Sequence, residues 1–213
     1  MMQLHYFPGN ASMTPHMLLE ELGVPHQLVL VDRANNGQRS PAYLALNPNG
    51  KIPVLADGEL VLYETAAIVL HLADTHPQAR LAPAVGTAER AVFYKWLMWL
   101  SNTLQAEMPL YFYSDRWADT PEGAAALKRH AETHIAGMVD QLEAELAKHG
   151  GPWFLGAKHS VLDPYVLMLC RWTRGMARPA RTLPHLGPYL QRLLARPAVQ
   201  RAYAQEGLGE PRV

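Results

Sequence analysis

The pattern of apolar residues changes once along this chain of 213 residues, and that change limits its possible folds more than any other feature. Up to Thr75, strand-like runs alternate with helix-like stretches; past Gly86 only helical spacing remains. Met2 to Phe7 reads as a strand, ended by the Pro8-Gly9-Asn10 turn. A helix follows, with Thr14 to cap it, Pro15 in its first turn and Gly23 at its end. His26 to Asp32 is again strand-like, and two strands joined by one helix over this length run parallel. Ser40-Pro41 opens a short helix. Ile52 to Ala56 and Leu60 to Tyr63 flank Asp57-Gly58, a two-residue hairpin signal. Glu64 to Thr75 carries apolar residues at helical spacing and stops before Pro77.

The segment from His76 to Gly86 holds two prolines and a glycine and reads as a linker. Thr87 caps a long helix running through Trp96, Trp99 and Leu104, with a bend expected near Pro109. Residues 121–149 form another amphipathic helix, closed by Gly150-Gly151. Ser160 and Asp163, three apart before the apolar run Tyr165 to Cys170, form a capping box that satisfies amides at a helix start. The order βαβ, then ββα, then helices gives the expected fold. It is an α/β thioredoxin-like N-terminal domain over residues 1–79, followed by an all-α C-terminal domain over 87–213.

Composition narrows the function. The 19 basic residues balance the 19 acidic ones, so no bulk field favours nucleic acid or an anionic membrane. No apolar run has the length of a membrane helix, and MMQLHYFPGN lacks the pattern of a signal peptide. One cysteine, Cys170, allows neither an internal disulfide nor a CxxC site and suits a cytoplasmic setting.

The most specific local motif is Asn47-Pro48-Asn49-Gly50-Lys51-Ile52-Pro53-Val54-Leu55, followed by Glu64-Thr65. An Ile-Pro bond just before a strand is a candidate cis peptide, which would turn the Ile52 N–H and C=O sideways to pair an extended peptide. Glu64-Thr65 starts a helix, where free amides and the positive dipole end attract carboxylates. Together they describe a site for a small acidic peptide; read singly, they are a tight turn, a hairpin and a capped helix.

FPGNASMTPHMLLEELG, NPNGKIPVL, YETAAIVLHLAD and SVLDPYVLML resemble, in order and at matching intervals, segments of bacterial cytosolic glutathione transferases of the beta-like type. The resemblance implies that Pro53 is cis and that Lys51, Ile52, Glu64 and Thr65 hold the glutathione backbone and its γ-glutamyl end. Arg39, with Gln38, is placed near the glycyl carboxylate. It further implies a cytoplasmic homodimer, with glutathione as co-substrate and no metal.

At the reaction centre the chain departs from the beta pattern. Ala11 stands where proline-glycine-alanine-cysteine-serine would have its cysteine, so a mixed disulfide with glutathione at that position is excluded. Ser12 and Asn10 remain as partners for the sulfur, with Tyr6 a weaker one. Met108, Tyr111, Phe112, Tyr113, Trp117 and Trp172 are grouped as a pocket for a hydrophobic electrophile. Individually they read as core or interface residues. His130 and His134 are four apart on one helix, but no third ligand is placed, and Cys170 and His16 read as packed side chains. The leading function is a glutathione transferase. The alternative is a non-catalytic protein that binds glutathione and hydrophobic ligands. A glutathione-dependent reductase or peroxidase is disfavoured because its usual thiol is missing.

Overall fold

A computed structural model describes residues 1–213. Four strands, β1 (Met2–Tyr6), β2 (His26–Leu30), β3 (Val54–Asp57) and β4 (Leu60–Tyr63), form one sheet in the order β2-β1-β3-β4. β1 and β2 are parallel, with Leu4 opposite Leu28. β3 runs antiparallel to β1, with Leu55 opposite Leu4, and β4 antiparallel to β3. Strand alternation puts Leu4 and Leu55 into the main core, beneath α1 (Met13–Leu22) and α3 (Thr65–Thr75). Val54 points the other way and joins Val31 and Tyr43 in a small core under α2 (Pro41–Leu46).

Some boundaries move by one residue from those read in the sequence. Asp57 pairs with Leu60, so the hairpin turns on Gly58-Glu59 instead of Asp57-Gly58, and Gly58 takes the left-handed conformation at φ 60°. α1 starts at Met13, so Thr14 lies within its first turn, where its hydroxyl reaches the Met168 sulfur at 3.2 Å.

All later elements are helical: α4 (Ala88–Trp99), α5 (Gln105–Phe112), α6 (Pro121–His149), α7 (Leu162–Trp172), α8 (Leu186–Leu194) and α9 (Pro197–Gln205). Thr87 and Thr120 cap α4 and α6 through their hydroxyls. The long helix departs from regularity in a π turn at Leu100–Leu104, and Pro109 stays inside α5. A π turn inserts an extra residue and redirects a helix as a proline kink does, but upstream of the proline. No helix is long and apolar enough to cross a membrane.

α7 runs through the centre of the main core, and ten of its residues, Leu162 to Arg171, are buried. Its start is built around Asp163, which is fully buried and accepts hydrogen bonds from the Phe154 and Ser160 amides, the Ser160 hydroxyl and the Tyr189 hydroxyl. Burial pushes this carboxyl up to about 6, against the pull of those hydrogen bonds. Ser160 in turn accepts from the Leu162 amide, so the box closes one residue earlier than its usual form.

Candidate functional site

β1 delivers the chain to the turn at Pro8-Gly9-Asn10, where Gly9 sits at φ 71° and the Asn10 amide bonds the Phe7 carbonyl at 3.1 Å. Ser12 is fully buried. Its hydroxyl donates to the Phe7 carbonyl and accepts from the Phe7 amide, both at 3.2 Å. This position closes the loop onto itself and turns the hydroxyl away from solvent, toward the Phe7 backbone. Asn10 is half-buried and uses only its Oδ1, which accepts from the Ala11 amide at 2.7 Å. Its amide NH2 remains free. Tyr6 packs against the main core, edge-on to His16 at 6.2 Å.

The turn is held from the far end of the chain. Glu206 accepts the Gly9 amide through Oε2 at 2.8 Å and faces His16 Nδ1 through Oε1, also at 2.8 Å. The other His16 nitrogen meets the Gln205 side chain at 2.6 Å. The Trp172 indole donates to the Gly9 carbonyl at 2.9 Å. Thus both polar groups of one peptide residue are anchored by helices that follow more than 160 residues later.

A second edge lies at the open end of the β3–β4 hairpin. Val54 pairs with Tyr63, so residues 52–53 and 64–65 come side by side. The Ile52-Pro53 bond is cis. The Lys51 carbonyl is fixed by the Tyr43 hydroxyl and the Asn47 amide, each at 2.8 Å, while no hydrogen bond within the chain engages the Ile52 backbone. Glu64 stands at φ 73°, ψ 117°, a conformation that is costly for a residue with a side chain and concentrates at functional sites. Thr65 is buried at the start of α3, and its hydroxyl has no partner; no side chain caps that helix. The Gln38 Oε1 is likewise buried and unpartnered. Glu64, Lys51 and Arg39 are exposed. Gly50 passes so close to residues 38 and 39 that a Cβ there would come within 2.9 Å of the Gln38 carbonyl.

The helical wall is smaller than the sequence grouping. Phe112 meets Tyr111 edge-on at 5.1 Å and Trp172 edge-on at 6.3 Å, and Tyr113 lies 6.5 Å from Phe112. Met108 is 1% exposed and belongs to the main core, since it lies on the inward side of α5. Trp117 is 65% exposed beyond the end of that helix and meets none of the other aromatics. Neither Met108 nor Trp117 joins the wall.

One closed circuit of contacts joins the turn to the helical wall. From Phe7 it passes to Arg33, whose guanidinium lies 5.0 Å above the ring, and from Arg33 to the Tyr113 hydroxyl at 3.1 Å. Phe112, Trp172 and Gly9 complete it. Neither Arg33 nor Glu206 has a local sequence signal, since each acts across long separations.

Other clusters are closed by internal bonds. The metal-ligating types His16, Glu20 and His26 lie together, but Glu206 and Gln205 take both nitrogens of His16, and Arg201 and Gln205 take Glu20. The His130 and His134 rings lie 4.1 Å apart, tilted at 51°, and His134 faces Glu107 at 3.6 Å. Cys170 is buried, which pushes its thiol far up and keeps it unreactive.

Comparison with known proteins accounts for this arrangement. Residues 10–75 match the model of the glutathione S-transferase N-terminal domain, and residues 101–206 that of the C-terminal domain. The chain is 32% identical to glutathione S-transferase GstA of Escherichia coli, covering 97% of this chain and all of that protein. It is 31% identical to glutathione S-transferase GST-4.5 of Xanthomonas campestris, with the same coverage. A Sulfitobacter glutathione transferase homologue, solved with bound glutathione, superposes with a TM-score of 0.87 at 29% identity, over 96% of this chain and 98% of its own. A glutathione transferase from Methylococcus capsulatus superposes at 0.84 with 33% identity, over 98% and 100%. This chain belongs to the glutathione S-transferase family.

Proposed function

We propose that this protein binds glutathione across the open end of the β3–β4 hairpin and conjugates it to a hydrophobic electrophile held against the helical wall. The observation that carries the reading is the buried Thr65 hydroxyl, unpartnered at the uncapped start of α3 beside the Ile52 backbone. A buried hydroxyl without a partner costs about 1–3 kcal/mol, so it is kept where a ligand satisfies it. In this reading the α3 amides and Thr65 take the γ-glutamyl carboxylate, Glu64 its ammonium, and Ile52 the cysteinyl backbone. Lys51, Gln38 and Arg39 serve the glycyl end. Residues 1–79 thus form the glutathione part, and 87–213 supply the electrophile wall through Tyr111, Phe112 and Trp172.

The sulfur then lies over the 8–10 turn, and the free Asn10 amide is its donor. A thiol of pKa about 8.5 is about 3% ionised at pH 7. One hydrogen bond to a charged acceptor supplies roughly 1.5–3 kcal/mol, and the start of α1 about 0.3–1 kcal/mol more. These suffice to lower the thiol by about two units without a general base. The thiol proton goes to water. The thiolate pair forms the carbon–sulfur bond, and the electrophile's leaving group departs with its own pair. A homodimeric, cytoplasmic protein is part of the same reading and rests on family membership.

The test is turnover of glutathione with a chloro-dinitrobenzene, together with calorimetry of glutathione binding. Conjugate formation above the uncatalysed rate supports the transferase. Tight binding without turnover identifies the non-catalytic carrier instead.

A further inference from the structure

We infer that the electrophile this site selects carries a negative charge, and that Arg33 reads it. The inference rests on the transferase reading and names its substrate class. Arg33 is half-buried where the circuit crosses from the sheet to the helices. It spends one N–H on the Tyr113 hydroxyl and stands over the Phe7 ring. A guanidinium has five N–H donors in a fixed fork, so four remain for a ligand in the cleft. Arg116 covers the face of the same Tyr113 at 4.3 Å, and Lys128 covers Tyr111 at 4.8 Å. No ion pair engages any of these three cations.

The nearby carboxylates are committed elsewhere or exposed. Asp32 is bonded to Asn35, Glu132 accepts the Ala177 amide, Glu107 faces His134, and Asp115 lies exposed in the loop. The chain is neutral in sum, so two unpaired cations on the rings of Tyr111 and Tyr113, with Arg33 bonded to the Tyr113 hydroxyl, are a local excess. A planar electrophile lying against Phe112 and Trp172 would place an acidic substituent beside Arg33, where the aromatic surroundings reduce screening by water. The reaction is unchanged: sulfur attacks the ring carbon bearing the halide, the carbon–sulfur bond forms, and halide leaves with the carbon–halogen pair.

Two probes differ by the charge of one substituent and the methyl that caps it, a chloro-dinitrobenzoate and its methyl ester. Their halogen-free counterparts, dinitrobenzoate and its ester, cannot react and report binding alone through quenching of tryptophan fluorescence. Binding decides the inference and turnover decides the transferase reading, so the two fail separately. The free acid should bind at least about fivefold more tightly than the ester, and added salt should erode that preference. Arg33→Gln should abolish the preference, Arg33→Lys should restore part of it, and Arg116→Gln should reduce it. When the chloro compounds are each normalised to their uncatalysed rate with glutathione, the acid-to-ester ratio of kcat/KM should fall in parallel. Equal binding of acid and ester overturns the inference, as does a preference that survives in both Arg33→Gln and Arg116→Gln. Arg33→Gln that weakens glutathione itself, leaving the acid-to-ester ratio intact, also overturns it and reassigns Arg33 to the peptide.

Discussion

The Glu206 carboxylate holds the Gly9 amide at 2.8 Å while its second oxygen faces His16 at the same distance, joining the end of α9 to the turn at residues 8–10. Removing that carboxylate strands two polar groups in a buried place. Glu206→Ala should lower stability by about 3 kcal/mol in urea denaturation and reduce turnover, because the turn loses its anchor. Glu206→Gln keeps an acceptor for Gly9 and should lose less of both. Native stability in Glu206→Ala would show that the contact is incidental.

Thr65 offers a test in which stability and binding move apart. Thr65→Val keeps the shape and deletes a hydroxyl that has no partner in the free protein. The free protein should be as stable as the parent or more so, while glutathione affinity should drop about tenfold, the weight of a charged hydrogen bond. Glu64→Ala, which leaves the ligand ammonium unpaired, should weaken binding by at least as much. Unchanged calorimetric affinity in both variants would move the peptide site elsewhere.

The sulfur partner is decided by comparing Asn10→Ala with Ser12→Ala. Asn10→Ala should raise the pKa of bound glutathione by about one unit, at about 1.4 kcal/mol. Turnover would fall near neutral pH and recover in alkali, where the thiolate forms unaided. Ser12→Ala breaks the two bonds to Phe7 and should instead cost about 1–2 kcal/mol of stability, with the titration unmoved. Ultraviolet titration of the bound thiolate measures the first effect and denaturation the second. A shift confined to Ser12→Ala would reverse the assignment.

Asp163 gives stability a pH dependence of known sign. Its folded value, about 6, lies above the ordinary 3.8, so the folded state holds its proton more tightly than the unfolded chain. The contribution is fully present below about pH 4 and is lost as pH rises through about 6, at most about 3 kcal/mol in all. The stability of the parent relative to Asp163→Asn, which does not titrate, should therefore be greater at pH 4.5 than at pH 7.5 by about 2 kcal/mol, since at pH 4.5 the unfolded carboxyl is already mostly ionised. A difference of the opposite sign in urea denaturation would mean that the hydrogen bonds outweigh burial.

Elements with a repeating or punctuated pattern were legible before the structure. The 121–149 helix, the Gly23 stop and the side-by-side placement of residues 52–53 and 64–65 rest on local chemistry, and local chemistry is what a sequence displays. The bonds of Ser12 to the Phe7 backbone are not legible in the sequence, because the rule for a hydroxyl at a helix start says nothing about a peptide five residues earlier. Met108 and Trp117 were grouped with the wall by type alone. The two lie nine positions apart around a helix end, and only packing decides that one faces the core and the other water. Arg33 and Glu206 could not have been found, since their partners lie 80 and 197 residues away.

That last separation has a consequence for how the molecule comes into being. The Gly9 peptide is synthesised long before its two anchors, Trp172 and Glu206, which follow it by 163 and 197 residues. A nascent chain can complete the sheet, but the turn at residues 8–10 gains its Glu206 anchor only once α9 has left the ribosome and docked. In the proposed reading, a fragment that stops before Glu206 would therefore keep the peptide-binding edge and leave the turn over which the sulfur lies unset.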